Sequence, residues 1–326
     1  MNSFGRIFRI SIYGESHGPS VGIVIDGCPP GIPIKRDDFE TDLSRRKSGA
    51  KGTTSRIEGD HPVILSGIFN EYTTGAPINI MFENTNTRSG DYSDFREIPR
   101  PGHADFVASK KYLGFEDYRG GGHFSARLTL GLVAAGVIAK KIIHPVKISA
   151  SLIEAGGIKD IEQAINEAIK ENDTIGGIIE CHATNLPVGL GEPFFDPAEA
   201  MLSHIIFSIP ATRGIEFGTG FAAAKMRGSE HNDRFVETSG KTLSNHAGGI
   251  NGGITNGNDI TFRVAIKPTS STPKSQQTMN FKTGEITDFT VKGRHDTCVA
   301  LRAPVIVEAA TAIVLADLQL LNNVCK

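Results

Sequence analysis

The segment that decides the fold is SARLTLGLVAAGVIAKKII, residues 125–143, together with its counterpart PVIVEAATAIVLADLQLL, residues 304–321. Apolar side chains occupy almost every side of both segments when they are wound as helices, and such a helix must be covered on several sides. The two segments therefore predict a central helical layer. In the first segment, Lys140 and Lys141 end the apolar stretch before the roughly 20 residues that a membrane span requires, so a buried helix is the better interpretation.

Shorter segments on both sides of these helices predict strands and further helices. Apolar and alternating patterns indicate six strands, at residues 8–13, 21–26, 63–69, 78–82, 178–183 and 260–266. Periodic patterns indicate four more helices, at residues 37–47, 104–113, 160–170 and 196–207. Asp160 is the predicted N-cap of the third of these helices, and Asp196, which precedes Pro197, is that of the fourth. The predicted class is mixed α and β.

No proline-rich, serine-rich or charge-block linker divides the chain, so we predict a single domain that spans residues 1–326. Three long loops are expected, at residues 45–56, 84–102 and 228–255. Loops of this length in a compact domain often carry functional sites.

Composition excludes several classes of protein. The 34 basic and 36 acidic residues leave a formal net charge of −2, so no overall field favours nucleic acid or an anionic membrane. The four cysteines have neither zinc-site spacing nor the number that a disulfide scaffold needs, so we predict reduced thiols, no metal site and a cytoplasmic location. The N-terminal segment lacks the uninterrupted apolar stretch of a signal peptide.

The first candidate functional segment is GESHG, residues 14–18, which lies between two predicted strands. His17 can change protonation near neutral pH and act as a general acid, although a solvated surface turn explains the same residues. The segment also fits the pattern of a nucleophile elbow centred on Ser16. An elbow requires a helix after the turn, whereas residues 21–26 predict a strand, so a serine hydrolase is the weaker interpretation.

Two further segments could bind anions or donate protons. Five basic residues lie at the end of one predicted helix and in the glycine-rich and serine-rich loop after it: Arg45, Arg46, Lys47, Lys51 and Arg56. They could bind phosphate, or they could only complement the dipole at the end of the helix.

The segment RPGHAD, residues 100–105, places His103 at the start of another helix, where it could be an acid or only a cap.

A glycine loop leads directly into the first long helix. Its sequence is DYRGGGHFSAR, residues 117–127, and the exposed amides of such a loop suit a phosphate or a flavin tail. No Gly-Lys-Ser/Thr follows, so it is not a P-loop. Arg127 is costly to bury in an apolar helix unless it meets an anion. Small and basic residues also cluster at 245–249, 252–253, 267–271 and 292–296, as a phosphate-bearing cofactor would require.

In their order and approximate spacing, these segments resemble one family, the chorismate synthases. The resemblance covers roughly residues 5–320 and rests on GESHG, RPGHAD, DYRGGG, SAR, NHAGGI, KPTSS and KGRHD. It implies an α+β sandwich in which the central helical layer is flanked by antiparallel sheets, in a homotetramer. It also implies the 1,4-anti elimination of phosphate from 5-enolpyruvylshikimate-3-phosphate to give chorismate, with reduced FMN as cofactor.

The resemblance also implies roles for individual residues. His17 would protonate or balance the anionic reduced flavin, His103 would donate a proton to the departing phosphate, and Asp296, with Ser16 and Ser125, would assist proton transfer from the substrate. The residues implied to bind the substrate are Arg46, Lys51, Arg127 and Arg294. Those implied to bind FMN are His123, Phe124, Ser125, Pro210, Ala211, Gly252, Lys267, Pro268, Thr269, Ser270, Ser271 and Arg294.

The chain departs from the family pattern in the glycine loop. His123, Phe124 and Leu128 replace an arginine, a serine and a glutamate, and Thr297 replaces a proline. A flavin-binding sensor without turnover is therefore the main alternative, although both histidines are present. With no reductase-like segment, we expect NAD(P)H to act only indirectly, as the source of flavin reduced by an external reductase.

Overall fold

The structure is a computed structural model that describes residues 2–87, 92, 95–291 and 293–324. Two residues mentioned in the sequence interpretation, Lys292 of the KGRHD segment and Cys325 among the predicted thiols, lie outside the described residues. The three described cysteines, Cys28, Cys181 and Cys298, are buried free thiols.

The described residues form fifteen strands, most of them short. In chain order they are Ser3–Phe4 (β1), Arg9–Gly14 (β2), Ser20–Asp26 (β3), Val63–Ser66 (β4), Ile68–Phe69 (β5), Tyr72–Thr73 (β6), Ile78–Glu83 (β7), Lys147–Ala155 (β8), Gly177–Thr184 (β9), Thr212–Phe217 (β10), Ile250–Asn251 (β11), Ile254–Thr255 (β12), Ile260–Ile266 (β13), Gln276–Asn280 (β14) and Glu285–Phe289 (β15).

Seven α-helices and several 3-10 turns complete the described part of the chain. The α-helices are Glu40–Arg46 (α1), Asp105–Lys111 (α2), Thr129–Ile142 (α3), Ile161–Lys170 (α4), Ala198–Ile206 (α5), Gly228–His231 (α6) and Pro304–Val324 (α7). The 3-10 turns that matter below are Arg36–Phe39, Ala126–Leu128 and Val299–Arg302.

The strands pair antiparallel throughout and form two main sheets. One sheet has the order β1-β2-β3-β7-β4, and the other has the order β10-β13-β9-β8. Helix α3 packs on β3 and β7 of the first sheet, α7 packs on β8 and β9 of the second, and the two helices pack on each other. The predicted α+β sandwich with a central helical layer is therefore confirmed.

Two glycines explain how closely the layers approach. A Cβ added to Gly131 would lie 3.1 Å from Cβ of Ile23 in β3, and one added to Gly136 would lie 2.6 Å from Cα of Ala309 in α7. Helix α3 thus contacts the sheet with one face and α7 with another. Larger side chains at either position would push the layers apart.

The two long helices are buried on nearly all sides, as their apolar sequences predict. Every residue of α3 from 129 to 139 and every residue of α7 from 305 to 318 is buried. Helix α7 is long and apolar enough to cross a membrane by composition, yet most of it lies inside the protein. Its sequence is explained by burial between the second sheet and α3.

Some predicted boundaries were wrong. The helix expected from residue 125 begins as a 3-10 turn and becomes α-helical at Thr129, and the one expected at 37–47 likewise starts with a 3-10 turn. The cap at Asp160 is confirmed, because its side chain accepts a hydrogen bond from the amide of Gln163 at 3.0 Å. The cap at Asp196 is wrong, since Pro197 is the N-cap residue and Asp196 instead forms an ion pair with Arg6.

Candidate active site

The site is built around the glycine loop that precedes α3. Gly120, Gly121 and Gly122 all have positive φ angles, of 60°, 84° and 51°, which side-chain-bearing residues rarely adopt. The amide of Ser16 donates to the carbonyl of Gly122 at 3.1 Å. The loop is thereby joined to the turn between β2 and β3 that carries His17.

The two predicted catalytic histidines lie against neighbouring glycines of this loop. A Cβ added to Gly120 would overlap the His17 imidazole, and one added to Gly121 would lie 3.3 Å from Cε1 and 3.4 Å from Nε2 of His103. Residues 20–26 after the His17 turn form β3, so the strand-turn-helix context of a nucleophile elbow is absent. The glycine loop therefore brings together the two imidazoles that the sequence assigned to catalysis.

His17 is held in a basic environment. Its ring contacts Tyr92 edge to face, with 4.9 Å between the ring centroids. Burial is the main cause that lowers the pKa of His17 to about 4, and the guanidinium groups of Arg56, Arg119 and Arg294 contribute to the same lowering. The imidazole is therefore neutral at pH 7 in this structure, and an anion bound nearby would raise its pKa.

His103 belongs to a network of buried polar side chains. Its Nδ1 lies 2.5 Å from Oδ1 of Asp105. Arg100 donates to the same carboxylate, from Nη2 to Oδ1 and from Nε to Oδ2, both at 2.8 Å. Arg100 also donates to Oγ of Ser271 at 3.1 Å. Burial lowers the pKa of His103, the Asp105 hydrogen bond opposes this effect, and Arg100 adds to it.

A large cleft opens beside the glycine loop. Its volume is about 590 Å³, which is within the range of small-molecule and cofactor sites. Most of the predicted cofactor residues line it, namely His123, Phe124, Ser125, Pro210, Ala211, Lys267, Pro268, Thr269, Ser270 and Ser271. His103 and Asp296 also line this cleft.

A smaller basic cleft of about 150 Å³ adjoins the large one. Its lining contains seven basic side chains and three carboxylates, so its net charge is positive: Arg46, Lys47, Arg56, Arg100, Arg127, Arg294 and Arg302 against Glu58, Asp60 and Asp296. The residues that line both clefts are Arg100, Gly120, Ser125, Ala126, Thr269, His295 and Asp296. Two ligands bound in them would therefore meet at these residues.

The cations of the basic cleft are not equally available to a ligand. Arg127 bonds Asp60, the side chain of Asn84 at 2.8 Å and the carbonyl of Glu83 at 3.0 Å. Arg294 makes two longer bonds to Asn86, of 3.2 and 3.3 Å, and is only half-buried. Arg294 is thus better placed to contact an anion, whereas Arg127 chiefly holds the wall of the cleft.

Arg46 is buried under the start of α3. Its Nε donates to Oγ1 of Thr129 at 3.0 Å and one Nη to the carbonyl of Ala126 at 2.8 Å. Burial lowers the pKa of Arg46, and Arg302 adds to this effect. An anion in the cleft would offset the repulsion between these two guanidiniums.

Three predicted residues do not line these clefts. His17 is buried and lies against Gly120, which lines both clefts. Lys51 is exposed and lines neither of them. Gly252 lies in a separate, open depression beside Phe194 and Pro197. Within one copy of the described chain, Lys51 and Gly252 thus lie outside both clefts.

Several site residues were missed by the sequence interpretation. Asp105 belongs to the RPGHAD segment but had no assigned role, and only the structure shows its bond to His103. Arg302 and Asp60 lie in segments that lack any motif. A buried charge in an apolar setting is the signal that could have found them, but burial depends on the fold.

Comparisons with known proteins point to one family. The family model described as chorismate synthase matches residues 8–320. The chain is 64% identical over 324 residues to a chorismate synthase of Chitinophaga pinensis, covering 99% of this chain and 98% of that protein. It is 48% identical over 351 residues to one of Dehalococcoides mccartyi, covering 98% and 96%. A crystal structure titled chorismate synthase, 26% identical, superposes with a TM-score of 0.75 and covers 98% of this chain and 93% of that chain.

Proposed function

Because the chain belongs to the chorismate synthase family, we propose that it performs that family's reaction with reduced FMN in the large cleft and the substrate in the basic cleft. The reaction is the 1,4-anti elimination of phosphate from 5-enolpyruvylshikimate-3-phosphate, which gives chorismate, and it is the last common step of aromatic amino acid biosynthesis. The observation that carries the proposal is the shared wall of the two clefts, which would place both ligands in contact.

The large cleft fits a flavin with a phosphate tail. Thr269 Oγ1 and Thr212 Oγ1 are buried there without a hydrogen-bond partner among the described residues, and such atoms require a polar ligand or water. Lys267 adds a positive charge, and the half-exposed ring of Phe124 adds an apolar surface. The imidazole of His123 contacts the carbonyl of Gly14 at 2.8 Å and the side chain of Asn2 at 3.2 Å, so we assign it to positioning the loop.

The basic cleft fits an ester with a phosphate and two carboxylates. Nε of Arg302 is buried there without a partner among the described residues, and Arg294 and Lys47 add further donors. Guanidinium groups bind such anions with paired, charge-assisted hydrogen bonds. The nearly neutral protein would thus hold a multiply charged substrate through local charge alone.

The side chains at the junction supply proton control. Reduced FMN, when bound, would supply an electron-rich ring that assists cleavage of the carbon–oxygen bond. His103, when protonated on both ring nitrogens, would donate its Nε2 proton to the departing phosphate. His17 gains a proton when anions bind beside it. Asp296, whose carboxylate accepts from the Thr54 amide at 3.0 Å and from Arg302 at 2.6 Å, fixes the wall where the ligands meet.

We also propose that the protein is a cytoplasmic homotetramer supplied with reduced flavin by an external reductase that uses NAD(P)H. The exposed rings of Phe194 and Phe195, 88% and 90% accessible, support contact with another copy near Gly252. Such a contact would explain why Gly252 lies outside the large cleft of its own chain.

The proposed reaction predicts a simple result. Anaerobic incubation with reduced FMN and the ester should give equal amounts of chorismate and free phosphate, measured by absorbance and by phosphate assay. Oxidised FMN under the same conditions is the control and should give neither product. Absence of both products with reduced FMN would refute the proposed function. Labelling of Ser16 by a fluorophosphonate probe would instead support a hydrolase.

Ligand binding is expected to take up protons through His17. Because the pKa of His17 is lowered to about 4, the ring is neutral at pH 7, and a bound anion raises that pKa toward its ordinary value. The protein should therefore bind a fraction of a proton with the ester and oxidised FMN at pH 6.5. Calorimetry in buffers of different ionisation enthalpy measures this uptake, which should shrink in His17→Asn. Equal uptake in both proteins would assign it to another group.

A further inference from the structure

The network around His103 contains a carboxylate with no part in ligand binding. Asp105 begins α2, and its side chain is only 8% exposed. The guanidinium of Arg100, whose side chain is 3% exposed, donates a hydrogen bond to each carboxylate oxygen of Asp105. Burial alone would raise the pKa of Asp105, but hydrogen bonds from Arg100 and His103 more than offset this, and the pKa is lowered. The carboxylate is therefore ionised throughout the neutral pH range.

The contact between His103 and Asp105 fixes which ring nitrogen carries the proton. Nδ1 also lies 3.1 Å from Nη2 of Arg100, but a guanidinium nitrogen can only donate. The contact of 2.5 Å with an ionised carboxylate is shorter and charge-assisted, so Nδ1 donates to Asp105. Nη2 of Arg100 carries two hydrogens, and one of them goes to the same oxygen of Asp105, at 2.8 Å. If the other were donated to an unprotonated Nδ1, that nitrogen would face the Asp105 carboxylate at 2.5 Å with no hydrogen between them, which is repulsive.

The remaining ring nitrogen faces the glycine loop. A Cβ at Gly121 would lie 3.4 Å from Nε2 of His103, and His103 lines the large cleft. With Nδ1 committed to Asp105, any proton that His103 gains or loses is carried by Nε2. A general acid needs this arrangement, in which the mobile proton points at the substrate and the other nitrogen is held.

We infer that Asp105 is a positioning residue for His103: held by Arg100, it fixes the Nδ1–H tautomer and directs Nε2 into the cleft. This inference rests on the proposed function for the role of His103 as an acid. The tautomer itself is a property of the protein alone. Arg100 also bonds Ser271 of the predicted cofactor segment, so the same network ties the acid to the FMN cleft.

The experiment compares Asp105→Asn with Asp38→Asn. Asp38 also pairs with a cation, Lys141 at 2.6 Å, but its side chain is 28% exposed, it lies in the 3-10 turn before α1, and it lines neither cleft. In Asp105→Asn the amide oxygen should turn to Arg100 and the NH₂ group to His103, which moves the neutral ring's proton to Nε2. We expect kcat to fall at least ~10-fold, with binding of oxidised FMN unchanged within about twofold.

The pH dependence gives a readout that a general structural loss would not produce. The charged groups that face His103 are Asp105, Arg100 and Lys267, and only Asp105 raises the pKa of the imidazole. Its loss should therefore move the fall in kcat with rising pH to lower pH. The inference is overturned if Asp105→Asn keeps the kcat and the pH profile of Asp38→Asn.

A measurement on the ring itself separates this inference from the proposed function. Nitrogen-15 spectra of histidine-labelled protein, assigned with His103→Gln, should show the Nδ1–H tautomer for wild-type His103 whether or not chorismate is formed. An Nε2–H tautomer in the wild type would overturn the inference, even if Asp105→Asn does not fold. Wild-type protein that shows the Nδ1–H tautomer but forms no chorismate would refute only the proposed function.

Discussion

Replacing His103 by glutamine is expected to lower kcat by about 10²- to 10⁴-fold, the usual contribution of a positioned general acid. The departing phosphate carries the charge left by the broken carbon–oxygen bond, and Nε2 of His103 is the proton source beside the shared wall of the two clefts. Glutamine retains polarity near the Nε2 position but cannot supply a proton at neutral pH. The loss should therefore fall on kcat, measured by stopped-flow absorbance under anaerobic conditions.

The pattern of the loss matters as much as its size. Binding of oxidised FMN and the KM for the ester should change little, and the fall in kcat with rising pH should disappear, because the group that titrates has been removed. His182→Gln is a suitable control, since that ring lies on β9 and pairs with Glu180 at 3.0 Å, away from both clefts. If His103→Gln retains more than a tenth of wild-type kcat, His103 is not the acid.

The fold was largely predictable because the two helices of its central layer consist mostly of apolar residues. The apolar composition of residues 125–143 and 304–321 predicts buried helices, and such helices need sheets or other helices to cover them. The missed strands carry local irregularities. Strand β8 has a register shift between Leu152 and Glu154 that breaks its alternation, and β10 has another next to Gly214. Strands β14 and β15 contain only three apolar residues, Met279, Ile286 and Phe289, so no period-2 pattern marks them.

Candidate site residues could be predicted where they lie together in a short sequence motif. They could not be predicted where folding brings together residues that are distant in the sequence. His17, His103 and Ser125 lie within short glycine-bordered segments, and the structure places all three around one loop. The partners of these segments are distant in sequence: Arg100 meets Ser271, and Thr54 meets Asp296. Spacing along the chain contains no information about such pairs, because they depend on how the two sheets close over the helices.

Asp317 shows the same limit inside the helical layer. A carboxylate within a mostly apolar helix would be predicted to lie at an exposed position, yet Asp317 is fully buried. Its side chain accepts hydrogen bonds from the backbone amides of Arg6, Ile7 and Phe8, at distances of 2.8 to 3.0 Å. Helix α7 thereby fixes the segment that enters β2, the strand that ends at Gly14 just before His17.

Replacing Asp317 by alanine is expected to lower the free energy of unfolding by about 3–5 kcal/mol, because three backbone amides lose their acceptor and at least one stays buried. Asp317→Asn should be damaging too, since its NH₂ group would face the same donors. Asp288→Asn, at an exposed position of β15, is the control and should change stability by less than about 0.5 kcal/mol. Urea unfolding at a fixed protein concentration measures all three.

The effect should also be local in a way that proteolysis can detect. The amides released in Asp317→Ala belong to the segment before β2, so cleavage near the N-terminus should accelerate before the core opens. Loss of the β2 anchor would free the turn that carries His17, and FMN binding should weaken together with the local protection. Unfolding within 0.5 kcal/mol of wild type, with unchanged cleavage, would show that water replaces the carboxylate and that Asp317 does not hold the strand.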